Sequence, residues 1–148
     1  MTDLTKLYKQ TILEHNRNPR NYGKPDEWTH HSEGLNAICG DLVHVYLTIE
    51  DDVIVAINYD GESCAISMAS ASMMTEFIKG RGIEDALIKF DLFCQLMAKG
   101  SDIQRIDELE DVNNLITVKK FPSRIKSATL CWHAMAAAIK GQPTATTE

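Results

Sequence analysis

Two runs of alternating hydrophobic and polar positions lie back to back in the first half of the chain. Val43, Val45, Leu47 and Ile49 alternate with His44, Tyr46 and Thr48, and Val53, Val55, Ile57 and Tyr59 alternate with Ile54, Ala56 and Asn58. A period of two is that of a strand with one buried face. Glu50-Asp51-Asp52 joins the runs, so the pair reads as a β-hairpin. Elsewhere the period is that of a helix. Leu4, Leu7, Tyr8 and Ile12 place an amphipathic helix over residues 3–16, which Asn18-Pro19 ends. Small and apolar residues after Cys64 form a second helix, entered by a turn at Asp60-Gly61. Apolar residues at 83, 86, 87, 90, 93, 94 and 97 make a third helical stripe. Glu84 and Asp85 in its first turn and Lys99 in its last suit the helix dipole. A fourth helix, with Ser123 as its N-cap, runs through Leu130, Met135 and Ile139 to Gly141.

The segments between these elements are polar. Residues 21–34 read as a loop entering a short strand near Glu33–Ala37, and its His30 and His31 read as solvated. Residues 101–120 are acidic and read as a surface excursion holding one short helix. Residues 142–148 are expected to be a disordered tail after a single domain spanning 1–141.

Composition narrows the partners. A chain of 148 residues suits one domain with a full core. The net charge of −6, with no long block of either sign, argues against nucleic acid and anionic membranes as partners. No apolar run is long enough to span a membrane, and the first residues lack the apolar stretch of a signal peptide. A cytoplasmic location is therefore expected. There the four cysteines are reduced, and are candidates for metal binding, catalysis or burial.

Two of these cysteines stand at the ends of the hairpin. Cys39-Gly40-Asp41 precedes its first strand and Cys64 follows its second. Entry and exit of a hairpin are neighbours, so Cys39, Asp41 and Cys64 are expected at one edge of the sheet. Two thiolates and a carboxylate make three corners of a tetrahedral zinc site. Cys64 also starts a helix, where unpaired N–H groups and the dipole favour thiolate. The plainer alternative is a structural turn, served by Gly40 and Gly61, with incidental cysteines. Cys94 lies on an apolar stripe and reads as core.

NRNPRNYG, the CGD at 39–41, GESCAISMASASMM at 61–74 and FPSRIKSATLCWHA at 121–134 together resemble the U-type iron–sulfur cluster assembly proteins, which include SufU, IscU and the N-terminal domain of NifU. The segment before Phe121 and an arginine at 124 are closest to the SufU branch. The resemblance implies a small α+β fold, an antiparallel sheet of about three strands with helices packed on it. It implies a metal site from Cys39, Asp41, Cys64 and a third cysteine at position 127. For the SufU branch it implies zinc, and sulfur accepted as persulfide from a PLP-dependent cysteine desulfurase for a downstream iron–sulfur scaffold. For the IscU branch it implies a [2Fe–2S] cluster built in place.

Position 127, however, is Ser, and a cysteine stands one turn on, at 131. A neutral hydroxyl is a poor zinc ligand beside thiolate. Four residues of helix are ~6 Å of rise, against a Zn–S bond of ~2.3 Å. Four readings stay open: the site has moved to Cys131; water, a Lys or a partner residue completes it; it is empty; or Ser127 is an introduced change. Three functions follow: a zinc-assisted sulfur acceptor, a cluster scaffold, or a regulatory relative that keeps only the partner surface. Cys39, on a Gly-flanked turn, is the expected persulfide acceptor. Arg124, three residues before Ser127, is expected on the same helix face at the site mouth.

Overall fold

A computed structural model of the chain describes residues 3–147. Helix α1 spans Asp3–Arg17, strand β1 His30–Asn36, β2 Asp41–Glu50, β3 Val53–Glu62, helix α2 Ala65–Ile78, α3 Ile83–Met97, α4 Pro122–Ile139, and β4 Thr144–Thr146. The sheet order is β3-β2-β1-β4. The first three strands are antiparallel, as expected, and β4 runs parallel to β1. The β2–β3 turn is tight because Asp51 and Asp52 both take positive φ, +50° and +61°. That is the backbone twist a two-residue hairpin loop needs.

Val43, Val45 and Leu47 of β2 face the helices and are buried. On the opposite face His44 and Tyr46 stack with His31, and Trp28 covers Tyr46 at 5.1 Å between ring centroids. His31 is therefore not a solvated loop residue. Its Nε2 lies 3.0 Å from His44 Nδ1.

Helix α4 is the central element of the helical layer. Trp132 stacks on Phe93 at 4.4 Å, and Leu130, Cys131, Ala134 and Met135 are buried beside it. Helix α2 lies against α4 through small residues whose hydroxyls are all spoken for. Ser70 Oγ donates to the Ala128 carbonyl at 2.6 Å and accepts from Trp132 Nε1 at 3.2 Å. Ser72 Oγ meets His15 Nδ1 at 2.7 Å, which ties α1 to α2. Buried hydroxyls so paired avoid the cost of desolvating an unpartnered polar group.

Four further expectations need correction. Strand β3 does not turn at Asp60-Gly61 but continues to Glu62. Gly61 has φ of +142°, and a Cβ there would fall on the Leu42 carbonyl oxygen, so glycine lets β3 pass close to β2. The 101–120 segment is no surface excursion. Its 3₁₀ turns, Asp107–Lys120, are interrupted at Glu110 and bury Leu109, Val112, Leu115, Ile116 and Val118 in the core. The acidic positions between them masked that stripe. Helix α4 begins at Pro122, so Phe121 and not Ser123 is its N-cap; proline at the first helical position gives up only an N–H that would lack a partner anyway. Finally, residues 144–146 are a strand and not a disordered stretch, because β1 offers them an open edge.

Candidate thiol site

The loop between β1 and β2 carries Cys39. Its backbone N–H donates to Asn36 Oδ1 at 3.3 Å, and its thiol lies 3.8 Å from the Ser123 carbonyl at the start of α4. Asn36 is fully buried, and its Nδ2 donates to Thr147 Oγ1 at 3.2 Å. The residues after β4 thus brace the loop that presents Cys39. Cys64 arrives from the other end of the hairpin as the N-cap of α2, accepting from the Ser67 N–H at 3.5 Å. Both thiols are exposed.

They open on one groove of about 800 Å³, lined also by Tyr8, Ile12 and Leu13 of α1, Ile66 of α2, and Ser123, Arg124 and Ser127 of α4. Three helices therefore wall a largely apolar trough with two sulfur atoms in it. Arg124 lines the groove, its Cζ 4.9 Å from the Phe121 ring. Tyr8, not singled out from sequence, is 6% exposed and lies beside both Arg124 and Cys64. Burial pushes its phenol above the ordinary value, and the Arg124 guanidinium pulls in the opposite direction. Its place in the stripe Leu4, Leu7, Tyr8, Ile12 made it look like plain core. Asn36 gave no signal at all, since its two partners lie 3 and 111 residues away.

Asp41 takes a different place. It is fully buried in the first position of β2. Its Oδ1 accepts from the Cys64 N–H at 3.0 Å, and its Oδ2 accepts from Ser127 Oγ at 2.7 Å. A carboxylate at the N-terminus of α2 satisfies an N–H that the helix leaves open. Cys131 is also fully buried, with its sulfur 3.6 Å from Ser70 Oγ and 3.9 Å from the Ala128 carbonyl. Burial pushes its thiol up to about 12. It lies behind Ser127 in the core, and the groove does not include it. Cys94 is half-buried, its thiol pushed up to about 11 by burial.

The expected metal triad of Cys39, Asp41 and Cys64 is not gathered. Among the described residues no group of three or more His, Cys, Asp or Glu side chains is placed to hold one ion. The donors explain why. Asp41 is turned inward on two hydrogen bonds, Ser127 spends its proton on Asp41, and Cys131 stays in the core. The residues as arranged do not fit a resident zinc ion.

A second cavity, of about 560 Å³, lies between α1, α2 and the 3₁₀ turns and is lined by Arg20, Arg81, Glu14, Glu76 and Glu110, among others. Its arginines are paired with these carboxylates and with Asp85, and it holds no cysteine. Among the described residues no helix is long and apolar enough to cross a membrane.

Comparison with known proteins bears on this groove. Residues 7–128 match the family profile described as NifU-like N terminal domain. The zinc-dependent sulfurtransferase SufU of Bacillus subtilis is 41% identical over 90% of this chain and 89% of its own. The iron–sulfur cluster assembly scaffold protein IscU of Streptococcus pyogenes is 34% identical over 95% of this chain and 87% of its own. Among solved structures, a protein of Fervidobacterium islandicum, provisionally described as an iron–sulfur cluster assembly scaffold for the SUF system, superposes with a TM-score of 0.83. It is 30% identical and covers 90% of this chain and 97% of its own.

Proposed function

The chain belongs to the NifU-like N-terminal domain family, and on that premise we propose that it serves iron–sulfur cluster assembly by accepting sulfur from a cysteine desulfurase. The observation that carries this reading is the pair of exposed thiols, Cys39 and Cys64, in one apolar-walled groove. Such a trough admits a partner loop bearing a persulfide. The Cys39 thiolate attacks the outer sulfur of that persulfide. A new S–S bond forms at Cys39, the donor S–S bond breaks, and the donor cysteine leaves as thiolate. No net oxidation occurs.

Cys39 is the acceptor in this scheme because it sits on an exposed loop, whereas Cys64 is engaged with the first turn of α2. Arg124 stands where its charge offsets the anionic sulfur without occupying it. Tyr8 fixes the wall behind Arg124. The sulfur then passes to a downstream iron–sulfur scaffold. The name of the SufU relative supports this reading. The names of the IscU relative and of the SUF-system structure, both scaffolds, support a second reading, in which an iron–sulfur cluster is built on the chain itself.

The test is desulfurase turnover on cysteine with and without the protein. Stimulation by the native chain, lost in Cys39→Ser, is the expected result. Equal turnover with and without the protein would contradict the proposal, and visible absorbance after anaerobic iron and sulfide addition would favour the second reading.

A further inference from the structure

We propose that Asp41 in this chain is a latch and not a ligand, so that the groove presents Cys39 and Cys64 without a resident metal. The inference deepens the sulfur-acceptor reading, on which its functional consequence rests. Asp41 is fully buried and does not line the groove. One carboxylate oxygen holds the Cys64 N–H of α2 and the other holds the Ser127 hydroxyl of α4. The latch therefore joins the start of β2 to two helices at the level of the thiols. To reach a metal in the groove, Asp41 must swing out of its buried place, which loosens its hold on the Cys64 N–H at the start of α2 and on the Ser127 hydroxyl.

No other side chain replaces it. Ser127 lines the groove but offers only a hydroxyl already committed to Asp41. Cys131, the remaining sulfur on α4 within reach by sequence, points to Ser70 and the Ala128 carbonyl inside the core. Two thiols remain, which is half a tetrahedral set. The consequence is that sulfur transfer to this protein needs no prior metal release. The exposed Cys39 thiol is open to the donor in the resting state.

The experiment measures zinc affinity of metal-stripped protein against a chromophoric chelator, in the native chain, Ser127→Cys and Cys131→Ala. Ser127→Cys adds a third thiol at the position that already touches Asp41. It is expected to tighten zinc by more than about 100-fold, the upper end seen for merely supporting partners. Cys131→Ala is expected to match the native chain. Native zinc affinity within about tenfold of Ser127→Cys, below what even a supporting partner contributes, would overturn the latch; so would loss of zinc in Cys131→Ala.

Asp41→Asn supplies a second readout. The latch predicts a lower unfolding temperature in metal-free protein, unchanged by added zinc. An unchanged metal-free temperature together with abolished zinc binding would make Asp41 a ligand. Sulfur loading of Cys39 in excess chelator separates the two claims. Tight zinc with loading intact sinks the latch alone, and weak zinc with no loading sinks the acceptor reading alone.

Discussion

Ser127 Oγ donates a 2.7 Å hydrogen bond to Asp41 Oδ2 across 86 residues of sequence, and both residues are buried. The bond is charge-assisted and shielded from water, the setting in which hydrogen bonds are strongest. Ser127→Ala leaves a buried carboxylate oxygen with one donor fewer. It should cost about 1–3 kcal/mol of stability. Denaturant midpoints at unchanged slope would measure this. A change under about 0.5 kcal/mol, the scale of an ordinary surface substitution, would mean the bond contributes little.

Arg124 is exposed and packs on Phe121 at the mouth of the groove. Arg124→Ala should therefore alter stability by no more than about 0.5 kcal/mol. Sulfur loading of Cys39 should slow roughly fivefold, the effect of losing ~1 kcal/mol of attraction between solvated charges. Arg124→Lys should recover part of the rate by restoring the charge. Loading kinetics by quenched mass spectrometry would check all three proteins, and an unchanged rate in Arg124→Ala would return Arg124 to the ordinary surface.

Acid should loosen the fold through three histidines. His15, packed on Ser72, is lowered below its ordinary value by burial and by Arg20; His31 by burial and by His44; His133 by burial. The unfolded chain binds these protons first, near pH ~6.5. The stability they contribute is thus whole above that pH and is lost as pH falls through the lower folded values. The unfolding temperature should drop between pH 7.5 and 5, a span chosen around that ordinary value. His15→Gln should show a shallower fall. A flat profile across this range would contradict the assignment.

Much of the fold was legible because one face of each element is apolar. Val43 to Leu47 alternate, Cys64 caps a run of small residues, and the hairpin pattern itself set Cys39 and Cys64 at its two ends. What escaped was set by long-range bonds. Acidic residues hid the buried stripe from Leu109 to Val118. The sequence showed Asp41 between a cysteine loop and a strand, which suggested a ligand. It could not show that Ser127 and the Cys64 N–H would take both oxygens. Tyr8 and Asn36 were invisible for the same reason, since Tyr8 meets Arg124, and Asn36 meets Thr147, only in the folded chain. The strand at 144–146 depends on the free edge of β1 and not on its own TAT sequence.

The most direct test of sulfur acceptance maps the sulfur itself. The native protein would be incubated with a cysteine desulfurase and cysteine, then alkylated and digested, and each cysteine peptide weighed for one added sulfur atom. Persulfide is expected on Cys39, with Cys94 and Cys131 unmodified. Sulfur found instead on Cys64 alone, on Cys131, or on no cysteine at all would contradict it.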